Sequence, residues 1–508
     1  MPNLNGSITR YTNCPPIDET QLRTIIICIV ALLFSGPAAA AHHYTVHVDA
    51  ALDTLRVTAR FASPVQSVRA RHGSAGRFLL EAADCETGLP LERRGRTLTS
   101  PQTSISCIDY VVDLRGAAAA ERRNEGLEPD NVVVSPAVWL WQPRTAAESR
   151  VIVRFLLGDG VDVSVPWQTV GDIEHTYEIP PSPRSARAPA AFGRFIHVHQ
   201  EPSAGMPRIA LLRSPGNVDD DAIIDWILDT VGYVSLAYGR FPNPGAHVVV
   251  MPVGKNGWRS DSPVPFGRVV RDGGESIELF VDKRRPIEDF YDDWTATHEF
   301  SHLMLPFLQS SHRWISEGFA QYYQNVLLAR AGRYEVQRAW QKLYEGFERG
   351  RKSRPELSAN EASRRGVGAA TMKIYWSGAI VALMADVELR ERSGGRESLD
   401  DVLDRLQRCC LPAADRWTGP QLFGKLDSLV EEPVFMPLYQ QYADKEGFPD
   451  IAPLFRRLGV DIEDGRVALH DDAELASVRD AITRSASDAG ARAFIDRSRA
   501  QQAKRSEP

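Results

Sequence analysis

Three residues near the middle of the chain have the types and spacing of a metal centre. His298, Glu299 and His302 form an H-E-x-x-H sequence. On an α-helix the two histidines lie one turn apart on the same face, so both imidazoles can bind one tetrahedral Zn²⁺ ion. Glu299 would then lie beside the ion, where it can accept a proton from a water molecule. The spacing therefore predicts one zinc ion with a carboxylate base next to it.

A third protein ligand is expected further along the chain, because a catalytic zinc site commonly has three protein ligands and one open position. Glu317, in W-I-S-E-G-F-A, is the first candidate, since the apolar residues around it predict a packed helix. His312 lies in the connection between two predicted helices and is the alternative third ligand.

Two helices are predicted to position these residues. The helix that carries H-E-x-x-H is expected to begin at Pro286 and to end before Pro306, because proline suits the first helical position and stops a helix from continuing. The next helix is expected from about Trp314 to Gly332, since glycine is common just past a helix end.

The composition is that of a multidomain globular protein. A chain of 508 residues is too long for one ordinary core, so two to four domains are expected. Hydrophobic residues make up 43% and charged residues 25% of the chain, which is typical of folded and not of disordered proteins. The net charge of -7 gives no reason to expect a nucleic-acid partner.

The patterning predicts an α+β multidomain fold. Apolar and polar residues alternate in YTVHVDA and LRVTARF, which indicates an N-terminal antiparallel β domain, whereas helical periodicity dominates after residue 335. The expected units are a signal peptide at 1–41, the β domain at 42–180, a catalytic domain at 181–335, an α-helical domain at 336–460, and a small hairpin with a polar C-terminal tail at 461–508.

The N-terminal segment has the pattern of a secretory signal peptide. Arg10 and Arg23 precede an apolar run from Ile25 to Phe34, and small residues follow up to Ala41. This predicts an exported protein, periplasmic or secreted. An uncleaved N-terminal anchor is the alternative, and it is the only membrane contact that we expect.

The cysteines fit export. Cys85 and Cys107 are predicted to form a disulfide in an oxidising compartment, which would add ~3 kcal/mol of stability through loop closure. The adjacent Cys409 and Cys410 could bridge each other or stay reduced, and their spacing does not decide between these states.

Three segments can be compared with known families: HEFSH, WISEGFAQYYQNVLLARAG and IYWSGAIVALMADVELRERSGGRESLDDVL. Together they resemble the gluzincin metallopeptidases, and most closely the M61, or glycyl aminopeptidase, family. The resemblance extends roughly over residues 289–460. It implies an N-terminal β domain, a thermolysin-like catalytic domain and a helical domain. It also implies His298, His302 and Glu317 as zinc ligands, with Glu299 as the base.

The resemblance adds Tyr375 as the residue that stabilises the oxyanion. Aminopeptidases of this type hold the substrate's α-amine with a strand that contains glycine and glutamate. The corresponding region here is PFGRVVRDGGESIELFV, in which Glu275 is the acidic candidate for substrate binding. Arg268 and Arg271 in the same region would instead favour anionic groups.

The chain also departs from the family pattern. Ser377 stands where the family usually has lysine, and the connection between His302 and Glu317 is shorter than in the family. A PDZ domain, common at the C-terminus of M61 proteins, is not expected after Val460.

Together these patterns predict an exported zinc metallopeptidase acting on a peptide or protein substrate. Aminopeptidase and endopeptidase activity remain open at this point. The alternative is a non-catalytic secreted binding protein that contains zinc on a peptidase scaffold, although such a protein would have no need of Glu299.

Overall fold

A computed structural model describes residues 41–484 except 102–103, 125, 144–148, 181–186, 199–205, 215, 254–260 and 414. Almost all of the predicted signal peptide and the tail beyond residue 484 lie outside the described residues.

The strands are, in chain order, β1 Ala41–Val48, β2 Thr54–Val65, β3 Ser67–Ala70, β4 Leu79–Asp84, β5 Glu92–Arg94, β6 Thr97–Thr99, β7 Ile105–Asp113, β8 Asn131–Val134, β9 Trp141–Pro143, β10 Arg150–Leu157, β11 Asp162–Ser164, β12 Gln168–Thr169, β13 Thr176–Ile179, β14 Ala190–Gly193, β15 Ile196–Val198, β16 Arg208–Leu211, β17 His247–Pro252, β18 Phe266–Val270, β19 Ser276–Val281, β20 Val460–Glu463 and β21 Arg466–Leu469.

The α-helices are α1 Ala75–Phe78, α2 Leu114–Ala119, α3 Pro136–Trp139, α4 Asp220–Ser235, α5 Ile287–Asp292, α6 Thr295–Ser301, α7 Arg313–Arg330, α8 Val336–Lys352, α9 Ala359–Arg365, α10 Val367–Ser393, α11 Leu399–Cys410, α12 Gly419–Asp427, α13 Phe435–Tyr442, α14 Ala452–Leu458 and α15 Ala476–Thr483.

The N-terminal region is built from strands with one buried face. In β1, for example, Tyr44, Val46 and Val48 are buried and alternate with more exposed residues, because successive side chains of a strand point to opposite faces. β1 lies inside a seven-stranded sheet of order β12-β13-β10-β1-β2-β7-β4. Sheets of order β5-β6-β3-β9 and β11-β14-β8 accompany it, and their shared core contains the fully buried Trp139 and Trp167.

This β region differs in two details from the sequence prediction. β1 pairs in parallel with β10, although the other pairs of its sheet are antiparallel, because β1 lies between β2 and a strand from much later in the chain. β14 lies beyond the predicted limit at residue 180 but pairs with β8 and β11, so the β region extends past that limit.

A separate five-stranded sheet supports the predicted metal helix. Its order is β15-β16-β17-β19-β18, with β16, β17 and β19 parallel to one another and β18 antiparallel at the edge. Every residue of β17 and β19 is buried. Such continuous burial is typical of parallel strands that are covered on both faces.

The C-terminal region is mainly helical. Its longest helix, α10, is long and apolar enough to cross a membrane by length and composition alone, but most of its apolar window is buried inside the protein. It packs against α7 and therefore serves as a core helix. The predicted hairpin is confirmed: β20 and β21 pair around Asp464 and Gly465, whose φ values of 50° and 79° suit a type I′ turn. The described chain is thus a mixed α/β multidomain protein with an N-terminal β domain and a helical C-terminal region.

The first testable prediction concerns the cysteines. The structure bridges Cys85, just after β4, to Cys107 in β7, with the Cα atoms 5.6 Å apart and a sequence separation of 22. Replacing both with serine should lower the free energy of unfolding by about 3 kcal/mol, because the unfolded chain gains loop entropy. Urea denaturation of the mature protein measures this loss.

The control is replacement of Cys409 and Cys410 by serine. These neighbours are also bridged, but their ring closes no loop beyond adjacent residues, so the effect should be much smaller. Equal urea midpoints for the Cys85/Cys107 double variant and the parent protein would contradict the prediction.

Candidate active site

The helix predicted from Pro286 to Pro306 is instead interrupted, and this corrects the sequence prediction. α5 ends at Asp292, Asp293 has an extended backbone with ψ 144°, and α6 begins two residues later. The Asp293 carboxylate accepts hydrogen bonds from the Thr295 N–H at 2.7 Å and from the Ser262 hydroxyl at 2.6 Å. The side chain therefore pairs with the first N–H of α6, a separate short helix that carries His298 and Glu299 and has His302 as its C-cap.

The second predicted helix agrees closely with α7. It runs from Arg313 to Arg330, and Gly332 follows with φ 70°, in the left-handed region that suits glycine after a helix end. α6 and α7 pack against each other, so Glu317 faces the two histidines.

Three ligand atoms converge between α6 and α7. Glu317 Oε2 lies 3.3 Å from His298 Nε2 and 3.4 Å from His302 Nε2. Ligands about 2.0–2.1 Å from a tetrahedral zinc ion would be separated by about 3.3 Å, so both distances fit one shared ion. Two imidazole nitrogens and a carboxylate oxygen are also the donor set that zinc prefers in catalytic sites. His298, His302 and Glu317 can therefore hold the ion together.

Two further side chains orient the histidines, and sequence reasoning missed both. His298 Nδ1 lies 3.1 Å from Gln324 Oε1, and His302 Nδ1 lies 3.1 Å from Ser316 Oγ. An amide oxygen only accepts hydrogen bonds, so Nδ1 of His298 carries the proton and Nε2 presents its lone pair to the ion. The available signal was spacing, since Gln324 follows Glu317 by two helical turns.

Glu299 is buried beside these ligands. Donor atoms of His298, Glu299 and His302 all lie within 4.8 Å of one another. Burial raises the pKa of Glu299, while the neighbouring histidines oppose the increase. A carboxylate with a raised pKa is a better proton acceptor, which suits a general base.

Glu317 is held in its ionised form. Burial alone would raise its pKa, but His302 and His298 lower the pKa well below its usual value.

His312, the alternative ligand, instead precedes α7, where its ring lies 6.3 Å from that of Tyr439 and its Nδ1 is 3.0 Å from Ser311 Oγ. The carboxylate between the two histidines therefore comes from Glu317.

Tyr375 completes the cluster from α10. Its ring stacks on the His298 ring, with centroids 5.5 Å apart and planes 11° from parallel. Burial and the nearby Glu317 and Glu299 carboxylates raise the pKa of Tyr375 far above its usual value. Its hydroxyl therefore keeps its proton and can act as a hydrogen-bond donor.

A glycine contact explains how Tyr375 comes so close to Glu317. α7 and α10 cross at Gly318 and Gly378, where the backbones touch. A Cβ on Gly318 would overlap Gly378 Cα, and a Cβ on Gly378 would overlap the carbonyl oxygen of Trp314. Gly318 follows Glu317 directly and Gly378 lies one turn after Tyr375, so this crossing sets the distance between the two functional side chains.

The remaining sequence candidates lie around β18. Arg271 is only 7% exposed in its side chain and donates hydrogen bonds to the carbonyls of His302 and Leu305, just after α6. Its Nε also lies 3.2 Å from Glu275 Oε1, and the other Glu275 oxygen accepts a hydrogen bond from Asn243. Arg271 and Glu275 are thus occupied by contacts that support the end of α6.

Arg268 has a different environment. It lies on the edge strand β18, its side chain is 41% exposed, and its Nη2 is 2.6 Å from Glu278 Oε2. The preceding residue, Gly267, lies against the metal helix: a Cβ there would be 2.6 Å from Glu299 Cγ. The edge strand therefore borders the candidate site directly.

These features define an H-E-x-x-H site with a downstream glutamate, the arrangement of gluzincin-type metallopeptidases. Residues 306–381 match the family model described as M61 glycyl aminopeptidase. This match confirms the resemblance found in the sequence, and it includes both Glu317 and Tyr375. Over that segment the chain is similar to the M61 family.

One solved structure supports the fold. The chain is similar to an aminopeptidase N family protein from Idiomarina loihiensis, with a TM-score of 0.60 and 14% identity over 83% of this chain and 79% of that one. Native yeast LTA4 hydrolase gives a TM-score of 0.47 and 12% identity over 81% and 68% of the two chains. No curated protein sequence matches the chain.

The helix crossing leads to a second prediction. Replacing Gly378 with alanine should force α7 and α10 apart, lower stability by about 1–3 kcal/mol and reduce activity by shifting Tyr375. Gly424→Ala is the matched control, because this exposed helical glycine has open space around its Cβ position and should tolerate alanine. Thermal unfolding and kcat would be compared, and unchanged values for both variants would argue against the crossing as the constraint.

Proposed function

We propose that this protein is an exported zinc metallopeptidase that hydrolyses peptide bonds. The observation that carries the proposal is the convergence of three ligand atoms: Glu317 Oε2 lies 3.3 Å from His298 Nε2 and 3.4 Å from His302 Nε2, beside the buried Glu299. A thermolysin-like catalytic domain would comprise the β15–β19 sheet together with α4 to α7.

Zinc, when bound by His298, His302 and Glu317, supplies a Lewis acid that lowers the pKa of water and polarises the substrate carbonyl. Glu299 then takes the proton from the attacking water molecule and delivers it to the nitrogen of the leaving amine. Its burial and raised pKa suit both transfers. Glu299 therefore acts as base first and as acid afterwards.

Tyr375 would stabilise the negative charge that develops on the substrate. As water attacks, the carbonyl oxygen of the scissile bond becomes negative and needs a hydrogen-bond donor. The Tyr375 hydroxyl keeps its proton and its ring stacks on that of His298. The hydroxyl is hydrogen-bonded to the Glu317 carboxylate, and it can donate to the substrate oxygen by turning from that carboxylate.

The edge strand β18 offers a place for the substrate backbone. No other described strand pairs with its outer edge, and Gly267 lies beside Glu299. An extended peptide can add to such an edge through main-chain hydrogen bonds. Gly267 suits this position because a side chain there would press into Glu299.

We further propose that a free substrate N-terminus is not required. Glu275, the acidic candidate for binding an α-amine, is paired with Arg271 and Asn243. An endopeptidase is therefore the favoured form, and an aminopeptidase is the alternative. Export is supported by the signal-like N-terminus and by the two cysteine pairs, which bridge in the structure.

A cleavage assay tests the proposal directly. Free and N-acetylated peptides would be incubated with the mature protein, with and without a zinc chelator, using Glu299→Gln as the matched control. We expect about one zinc per chain by elemental analysis, cleavage of both peptide types, and loss of cleavage in chelator. Glu299→Gln should keep its zinc and lose hydrolysis, because the amide cannot accept the proton.

Absence of zinc after reconstitution, or full activity of Glu299→Gln, would refute the proposed mechanism. Cleavage of free peptides alone would favour the aminopeptidase instead.

Tyr375→Phe provides an independent test of the oxyanion role. Removing only the hydroxyl should lower kcat by roughly 10²–10³-fold with little change in KM, because the lost hydrogen bond forms in the transition state. Zinc content should not change, since Tyr375 is not a ligand. An unaltered kcat would exclude Tyr375 as the donor.

A further inference from the structure

We propose that Arg268 selects substrates with an acidic side chain, by pairing with the residue that lies opposite it on the bound peptide. This specificity role rests on the proposed peptidase function and adds the class of substrate: peptides with Asp or Glu at one fixed position beside the scissile bond.

Arg268 is the charged residue of the edge strand. The other residues of β18 are Phe266, Gly267, Val269 and Val270. Because side chains alternate along a strand, Gly267 faces the metal helix and Arg268 faces the opposite side of the sheet. Arg268 nevertheless follows Gly267 directly, and Gly267 lies against Glu299. Arg268 is therefore one position along β18 from the residue beside the candidate base.

The guanidinium is fixed on one side and exposed on the other. Arg268 Nε and Nη2 donate hydrogen bonds to Glu278 Oε2 at 2.9 and 2.6 Å. Glu278 is fully buried on the neighbouring strand β19, directly across from Arg268. The Arg268 side chain is still 41% exposed, and its Nη1 has no hydrogen-bond partner among the described residues.

Glu278 pairs with a second arginine as well as with Arg268. Its other oxygen, Oε1, accepts a hydrogen bond at 2.7 Å from Arg123, which also contacts Glu121 at 2.6 Å. The two arginines share the buried carboxylate, and Arg268 is the arginine next to the edge strand's open side. Because Glu121 also pairs with Arg123, the two arginines and two glutamates balance in charge, and a second carboxylate would meet Arg268 through its exposed Nη1 on that open side.

Strand addition determines which substrate side chain meets Arg268. Residues directly opposite each other on paired strands place their side chains on the same face, with Cβ atoms about 4.5–5.5 Å apart. A peptide added to β18 thus presents one side chain to Arg268, whereas the residues before and after it face the other way. Opposite charges at such a pair are favourable and like charges are unfavourable.

The test measures peptide binding separately from catalysis. Zinc-loaded Glu299→Gln protein would be titrated with fluorescent peptides that are acetylated at the N-terminus and amidated at the C-terminus. A single Glu, Gln or Lys would be moved along an otherwise neutral sequence. We expect Glu to bind about two- to fivefold tighter than Gln, and Lys correspondingly weaker, at one position and not at its immediate neighbours.

Variants of Arg268 in the same background identify the cause. Arg268→Gln should abolish the charge preference, and Arg268→Lys should retain it in part. Arg284→Gln is the matched control, because Arg284 is a half-exposed arginine that pairs with Asp282 outside the edge strand. Circular dichroism would check that Arg268→Gln is folded. If it is not, the charge preference is tested with Arg268→Lys, in which it should be reduced but not lost.

The outcomes separate the two proposals. A charge preference that is absent from the parent or that survives in Arg268→Gln would overturn the role of Arg268, even if the active protein cleaves peptides. If Glu is preferred but the protein with Glu299 intact cleaves no peptide, Arg268 would still select the side chain and the peptidase function would be refuted. Preference for a free C-terminal carboxylate over an internal Glu, in peptides that lack the amide, would identify the chain end as the recognised group and overturn the side-chain role.

Discussion

The close crossing of α7 and α10 is the constraint on which the candidate site depends. Glu317 faces His298 because α6 packs against α7, whereas Tyr375 comes from α10, later in the chain, and reaches the same cluster where the backbones of α7 and α10 touch. Gly318 and Gly378 provide that contact because neither has a side chain at the crossing. Their position next to functional residues has a cost, since glycine weakens a helix by about 0.5–1 kcal/mol relative to alanine. Burial of the surrounding helix faces offsets that cost.

A buried network of charges then fixes the angle and register of the same helices. Asp386 on α10 accepts hydrogen bonds from Tyr322 of α7 at 2.7 Å and from Arg390 at 2.9 Å. Asp400 at the start of α11 pairs with Arg330 at the end of α7 at 2.8 Å. Buried ions are costly unless they are paired and hydrogen-bonded, so these contacts tolerate few other arrangements. The S-L-D-D run that resembles the M61 family therefore has a structural role, because Ser398 and Asp401 cap α11 and Asp400 joins it to α7.

The sequence was informative where chemistry depends on local spacing. Residues four apart on a helix must share a face, so the pairing of His298 with His302 followed from the chain alone, as did the small hairpin after residue 460. Contacts between distant elements could not be predicted in this way. Gln324 meets His298 only because α6 and α7 pack together, and the break at Asp293 depends on a hydrogen bond from Ser262. Tyr375 was found through a family resemblance, because its own surroundings predict only a core helix.

The N-terminal β domain contributes to the site through buried polar contacts. Glu278 on β19 is fully buried, and a lone carboxylate there would be strongly destabilising. Arg123 of the β domain supplies one of its two partners, and Ser164 of that domain lies 2.7 Å from the buried His247 of β17. Removing the β domain would leave Glu278 Oε1 and His247 Nε2 without these partners inside the β15–β19 sheet. The edge strand β18 pairs with β19 at Glu278, so the β domain supports the strand that borders the candidate site even though the candidate ligands and base come from elsewhere.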